Sequence, residues 1–130
     1  MAQKYIIGDL VRYTSLYKEP IAEICEIRET SYLIRYMNGN FAKVTNEEIK
    51  PIPLTPEILE KNGWKKEMYH DWRHYMTIEG NILHLSKGVG IDGAFPVCVG
   101  KDMSYIASIS FVHQLQHLLF GLGINSEMEV

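Results

Sequence analysis

His113-Gln114-Leu115-Gln116-His117 sets two imidazoles four residues apart, the spacing at which one face of an α-helix can chelate zinc. Gln114 stands where the metalloprotease pattern H-E-x-x-H has its glutamate. An amide cannot act as a general base, so metalloprotease chemistry of that type is excluded, and a metal-binding lobe or another metal-dependent enzyme is the alternative that this pair leaves. A metal held by His113 and His117 would need a further ligand from His70, Asp71, His74 or His84. The competing reading has them as partly exposed helix residues or as hydrogen-bonding at the sheet edge, and the expectation is that both imidazoles face solvent on a leucine-rich helix with no ligand in reach. Gly88-Val89-Gly90-Ile91-Asp92-Gly93 spells G-x-G-x-x-G, but a dinucleotide site needs a helix next, and Phe95-Pro96-Val97 reads as a strand. These glycines are expected to form a connection between strands. Tyr69, Trp72, Arg73 and Tyr75 crowd into seven residues and are of the types that anchor protein interfaces. Arg12, Tyr13, Arg35 and Tyr36 offer the alternative of a nucleic-acid surface, cations for phosphates and rings for bases. No nucleophile–base–orienter pattern stands out, so no enzymatic activity and no cofactor are expected.

The elements that must position these residues change character at Pro51-Ile52-Pro53-Leu54-Thr55-Pro56. Two prolines that cannot donate to a ladder end strand pairing there. Thr55-Pro56 then supplies an N-cap and first helical residue, and Asn62-Gly63 closes the short helix. Before this joint, short strands are predicted over Leu10–Tyr13, Ile21–Ile27, Tyr32–Tyr36 and Phe41–Val44, the last two joined across Asn38-Gly39. Many short strands in about fifty residues favour closure, which removes exposed edges. The Gly8-Asp9-Leu10-Val11 opening and the final Glu48–Ile52 strand resemble an SH3-like or Tudor-like barrel, a likeness of fold that transfers no function.

Behind the joint, Gly80-Asn81 read as a two-residue turn puts Thr77 opposite His84 and Met76 opposite Leu85. Strands are predicted over Phe95–Val99 and Met103–Ile109, with Met103, Tyr105, Ala107 and Ile109 alternating inward. Ser110 is the expected cap of a helix through Leu122. Its Val112, Leu115, Leu119 and Leu122 stripe, widened by Phe111 and Leu118, is expected to cover this second sheet. The fold class is therefore α+β: an SH3-like small barrel over residues 1–53, then a strand-rich lobe over 54–130 with a C-terminal amphipathic helix.

Pro51 to Pro56, Leu59-Glu60-Lys61-Asn62-Gly63-Trp64 and Val112-His113-Gln114-Leu115-Gln116-His117-Leu118 together resemble a group of small proteins encoded by gut anaerobes, their phages and their mobile elements. The likeness covers most of residues 51–123. It implies a phage or mobile-element setting and carries no activity.

Composition narrows the partners. Residues 1–50 hold seven Lys or Arg against seven Asp or Glu, so the front lobe is neutral and the net charge of −3 belongs to the rest. A neutral lobe counts against strong phosphate neutralisation, which supplies most non-specific affinity for nucleic acid. Apolar runs all fall short of the ~20 residues that span a bilayer, so no membrane is expected. Cys25 and Cys98 lie far apart in apolar settings and are expected to be free thiols of a reducing, cytoplasmic compartment. The expected role is a non-enzymatic interaction or accessory protein with a protein partner, a description also compatible with homo-oligomers.

Overall fold

A computed structural model describes residues 5–69, 72–76, 83–87, 94–100 and 104–130, with backbone alone for 66–69, 72–76, 86 and 87. The described residues form two antiparallel sheets of five strands each and two α-helices, an α+β fold. The chain divides into two compact units. The first is Met1–Pro53 with Phe111–Ser126, and the second is Leu54–Ser110 with Glu127–Val130.

In the first unit, β1 (Leu10–Tyr13), β2 (Ile21–Ile27), β3 (Tyr32–Tyr36), β4 (Asn40–Val44) and β5 (Ile49–Pro51) pair in the order β4-β3-β2-β1-β5. The β3–β4 connection turns where Asn38 (φ 57°) and Gly39 (φ 79°) take left-handed conformations, as this residue pair does at low cost. Beyond β4, Glu48 Oε1 accepts from the Thr45 backbone N–H at 3.0 Å, a capping box that turns the chain into β5. β5 returns beside β1, with Val11 opposite Pro51 and Tyr13 opposite Ile49. The ladders leave β4 and β5 as the two edges, so the pairing does not close the sheet into the barrel that the strand spacing predicts.

Alternation decides what each strand buries. Ile34 is fully buried, with Tyr32 and Tyr36 two residues to either side packed on the same core, whereas Arg35 points outward. Val11, Ala22, Ile24, Val44 and Ile49 complete that core with Tyr5. Each fully buried aliphatic side chain here contributes about 1.5–3 kcal/mol by leaving water. A bulge at Cys25 breaks the β2–β3 register. Both cysteines are free thiols of intermediate burial.

The helix α2 (Val112–Gly121) belongs to this first unit, whereas its position in the sequence after the second set of strands leads to the expectation that it covers the second sheet. Val112 N–H donates to Ile52 C=O at 2.8 Å, and Pro53 forms an isolated bridge with Phe111. Its N-cap is Phe111, one residue later than expected. The Gln114 side-chain oxygen reaches back to accept the Phe111 N–H at 3.1 Å. Val112, Leu115 and Leu119 are buried as the stripe requires, but Leu122 lies beyond the helix and is exposed.

In the second unit, α1 (Pro56–Lys61) starts as its sequence predicts, with Thr55 Oγ1 accepting the Ile58 N–H at 3.2 Å. Asn62 and Gly63 (φ 87°) end it, Gly63 N–H returning to Glu60 C=O and Trp64 N–H to Leu59 C=O. The strands β6 (Lys65–Tyr69), β7 (Trp72–Met76), β8 (Leu83–Lys87), β9 (Phe95–Val99) and β10 (Ser104–Ile109) follow as a meander. The β7–β8 register differs by one residue from expectation: Met76 lies opposite His84, and Tyr75 opposite Leu85. A slip of one exchanges the two faces of a strand pair. The turn at Gly80-Asn81 lies outside the described residues. Leu83, Leu85, Phe95, Val97 and Ile109 are buried here. A bulge at Ile106 shifts the phase of β10, so Tyr105 and Ile106 are both exposed where strict alternation would have buried Tyr105.

Candidate functional site

Gly8 takes φ 96° and reverses the chain just before β1, with its N–H on Ile24 C=O at 2.8 Å. Asp9 follows and is almost wholly buried. Its carboxylate accepts the Ile6 N–H through Oδ2 at 2.8 Å, so the side chain stabilises the turn that carries it. A buried carboxylate needs more than one donor, and α2 provides the next. His117 Nε2 lies 2.9 Å from both Asp9 oxygens.

The neighbouring residue of the helix reads the backbone around Asp9. Gln116 Oε1 accepts the Leu10 N–H at 3.0 Å, and Gln116 Nε2 donates to Gly8 C=O at 3.1 Å. One amide side chain thus satisfies both the donor after and the acceptor before the buried aspartate, as a neighbouring strand would. His113, Gln116 and His117 share one helical face because they are spaced i, i+3 and i+4.

His113 is 1% exposed, so the expectation of a solvent-facing pair is overturned. Its ring lies 5.1 Å from that of Tyr5, stacks on Phe111 at 5.9 Å and meets the His117 ring edge-on at 5.5 Å. Burial lowers the His113 pKa, with the Asp9 charge opposing that shift and His117 adding to it. Tyr5, which also meets Tyr32 edge-on at 5.8 Å, is pushed up to about 12 by burial, then by Tyr32 and Asp9.

A carboxylate that orients an imidazole is also the orienter–base half of many acid–base catalysts. Here the same carboxylate holds a turn, and the adjoining glutamine holds the backbone on either side of it. The arrangement works as a clamp between α2 and the Gly8–Leu10 turn. Among the described residues no group of three His, Cys, Asp or Glu is placed to hold a metal ion. Of the further ligands considered, His84 is buried on β8 in the second unit, only the backbone of His74 is described, and His70 and Asp71 lie outside the described residues.

The other candidates are placed as follows. Arg12 pairs with Glu19 at 3.4 Å and Arg35 pairs with Glu23. Tyr13 and Tyr36 meet edge-on at 5.2 Å against the core. The cations and the rings therefore lie on opposite faces of one sheet. Tyr32 also packs on the core, while Tyr17 and Phe41 are exposed. The β6–β7 register sets Tyr69 opposite Trp72, Met68 opposite Arg73 and Lys66 opposite Tyr75. Residues 88–93 lie outside the described residues. They connect the antiparallel neighbours β8 and β9.

Asp9 and Gln116 were not among the functional residues suggested by sequence. The available signal was a Gly-Asp turn pair at one end of the chain and a polar helical stripe at the other, with nothing local to join them. No family model, no curated protein and no solved structure matches this chain. Among the described residues no helix is long and apolar enough to cross a membrane.

Proposed function

We propose that this chain is a non-enzymatic interaction protein, an accessory factor of a phage or mobile element as its resemblance implies, that binds a protein partner through the β4 edge of its first sheet. The observation that carries this reading is Phe41. It stands on an edge strand with 58% of its surface exposed, two residues along the chain from the Met37–Gly39 turn, whose Met37 is 52% exposed. Strand addition supplies such a partner with main-chain hydrogen bonds from the free edge and with side-chain contacts from alternate residues. The return of β5 beside β1, bringing the last strand against the first, supports reading the first sheet as SH3-like. Nucleic-acid binding through Arg12, Tyr13, Arg35 and Tyr36 is the less favoured reading, since each arginine already has a carboxylate partner.

The test is affinity capture from the host, with captured partners then rebuilt from purified components. Phe41→Asp should lose a partner that the wild type retains, at an unchanged melting temperature. Trp72→Ala and Arg73→Ala test the second surface, the β6–β7 hairpin, in the same way. Identical partner sets for Phe41→Asp and wild type would sink the β4 surface.

A further inference from the structure

The last residues of the second unit are held by one end of α1. Asn62 Nδ2 donates to Glu129 C=O at 2.8 Å, and Asn62 Oδ1 accepts the Glu129 N–H at 2.8 Å. Both main-chain groups of a single residue are thus read by one side-chain amide. The second hydrogen of that amide is spent on Ile58 C=O at 2.7 Å, which fixes which way the amide points. Lys61 adds a third tie, its ammonium donating to the Val130 oxygen at 3.0 Å. The segment so held has no regular secondary structure, and along it Glu127 and Glu129 are exposed while Met128 and Val130 are half-buried. This alternation is that of an extended strand with one side against a surface.

We propose that Lys61 and Asn62 form a binding seat for an extended peptide, occupied in cis by residues 127–130 and able to take a peptide of the same chemistry in trans. The ligand class follows from the contacts. The seat reads a peptide N–H and C=O pair and one further oxygen, so it requires a residue other than proline at the position of Glu129. Apolar side chains at the positions of Met128 and Val130 would lie against the surface, with acidic ones turned to solvent. The ties of the resident segment join exposed groups, and such bonds are individually weak. Its advantage over a free peptide is effective concentration, so weakening it should open the seat. This inference concerns a different surface from the β4 edge and does not depend on it.

The experiment uses the full chain with Glu129→Pro, which removes the N–H read by Asn62, and a fluorescent Ser-Glu-Met-Glu-Val peptide followed by anisotropy. Glu129→Pro is expected to bind the peptide about tenfold or more tightly than wild type does, because the resident segment no longer competes. Adding Asn62→Ala should abolish that binding, and a peptide with proline in place of its second glutamate should fail with every variant. Hydrogen exchange gives a readout free of added ligand: the Glu129 amide should be protected in wild type and exchange at a free-chain rate in Asn62→Ala. No binding by Glu129→Pro, equal binding by the Asn62→Ala double variant, or an unprotected Glu129 amide in wild type would each overturn the seat.

Discussion

Asp9 and His117 stand 108 positions apart in the chain, yet the imidazole Nε2 lies 2.9 Å from each oxygen of the buried carboxylate. The contact joins the Gly8–Leu10 turn to α2. Removing His117 takes one of two donors from the buried carboxylate, and removing Asp9 takes the acceptor from both His117 and the Ile6 N–H. Asp9→Ala and His117→Ala should each lower stability by about 1–3 kcal/mol, read as a shift in the urea midpoint. A double-mutant cycle should return a coupling of about 0.5–3 kcal/mol, and additive effects would mean that the contact carries no energy of its own.

Gln116 closes the same joint through backbone alone. Gln116→Leu keeps side-chain bulk while orphaning Leu10 N–H and Gly8 C=O, at a cost of about 1–3 kcal/mol. Exchange of the Leu10 amide should accelerate in this variant more than that of the Ile34 amide in the sheet centre. Equal acceleration at both sites would argue for general loosening instead.

Gly8 tests the geometry that delivers Asp9. Its φ of 96° is unfavourable for any residue with a Cβ, although an added Cβ would meet nothing within 4 Å. Gly8→Ala should therefore cost about 1–2 kcal/mol through backbone strain alone. Gly8→Asn should cost less, since asparagine tolerates positive φ better. Equal melting temperatures for Gly8→Ala and wild type would contradict the turn.

Acid should loosen the first unit through His113. Burial holds its folded-state pKa below the ordinary 6.5, so between those two values the unfolded chain binds more protons than the folded one. The stability from neutral His113 is present above pH 6.5 and is lost as pH falls towards the lowered folded value. Melting temperature measured across this range should decline in wild type and decline less in His113→Phe. An identical pH dependence for the two proteins would remove His113 as the cause.

Alkali acts through Tyr5 with the opposite sign. Its folded pKa of about 12 exceeds the ordinary 10, so stability is intact below pH 10 and is lost as pH rises towards 12. Ultraviolet titration of tyrosinate should show a late-ionising tyrosine that is missing from Tyr5→Phe.

Local chemistry was readable in this chain wherever a few adjacent residues determine the backbone. Asn38-Gly39 announced a turn because both tolerate positive φ, Thr55-Pro56 announced a helix start, and the alternation of Tyr32, Ile34 and Tyr36 announced a buried strand face. Register was less accessible. The sequence pattern sets Met76 opposite Leu85, whereas the structure sets it opposite His84, and a strand pair whose flanking residues are apolar on both sides tolerates either pairing in sequence. The position of α2 could not be read at all. An amphipathic stripe specifies that a helix must cover an apolar surface but not which one, and Val112, Leu115 and Leu119 would suit either sheet. Only the tertiary structure distinguishes them, because the side chains beside the stripe, Gln116 and His117, find their complements in the Gly8–Leu10 turn. Glutamine and histidine are equally at home in water and in a satisfied buried network, so their types alone do not disclose burial. That depends on donors and acceptors more than a hundred residues away, which meet them only when the chain has folded.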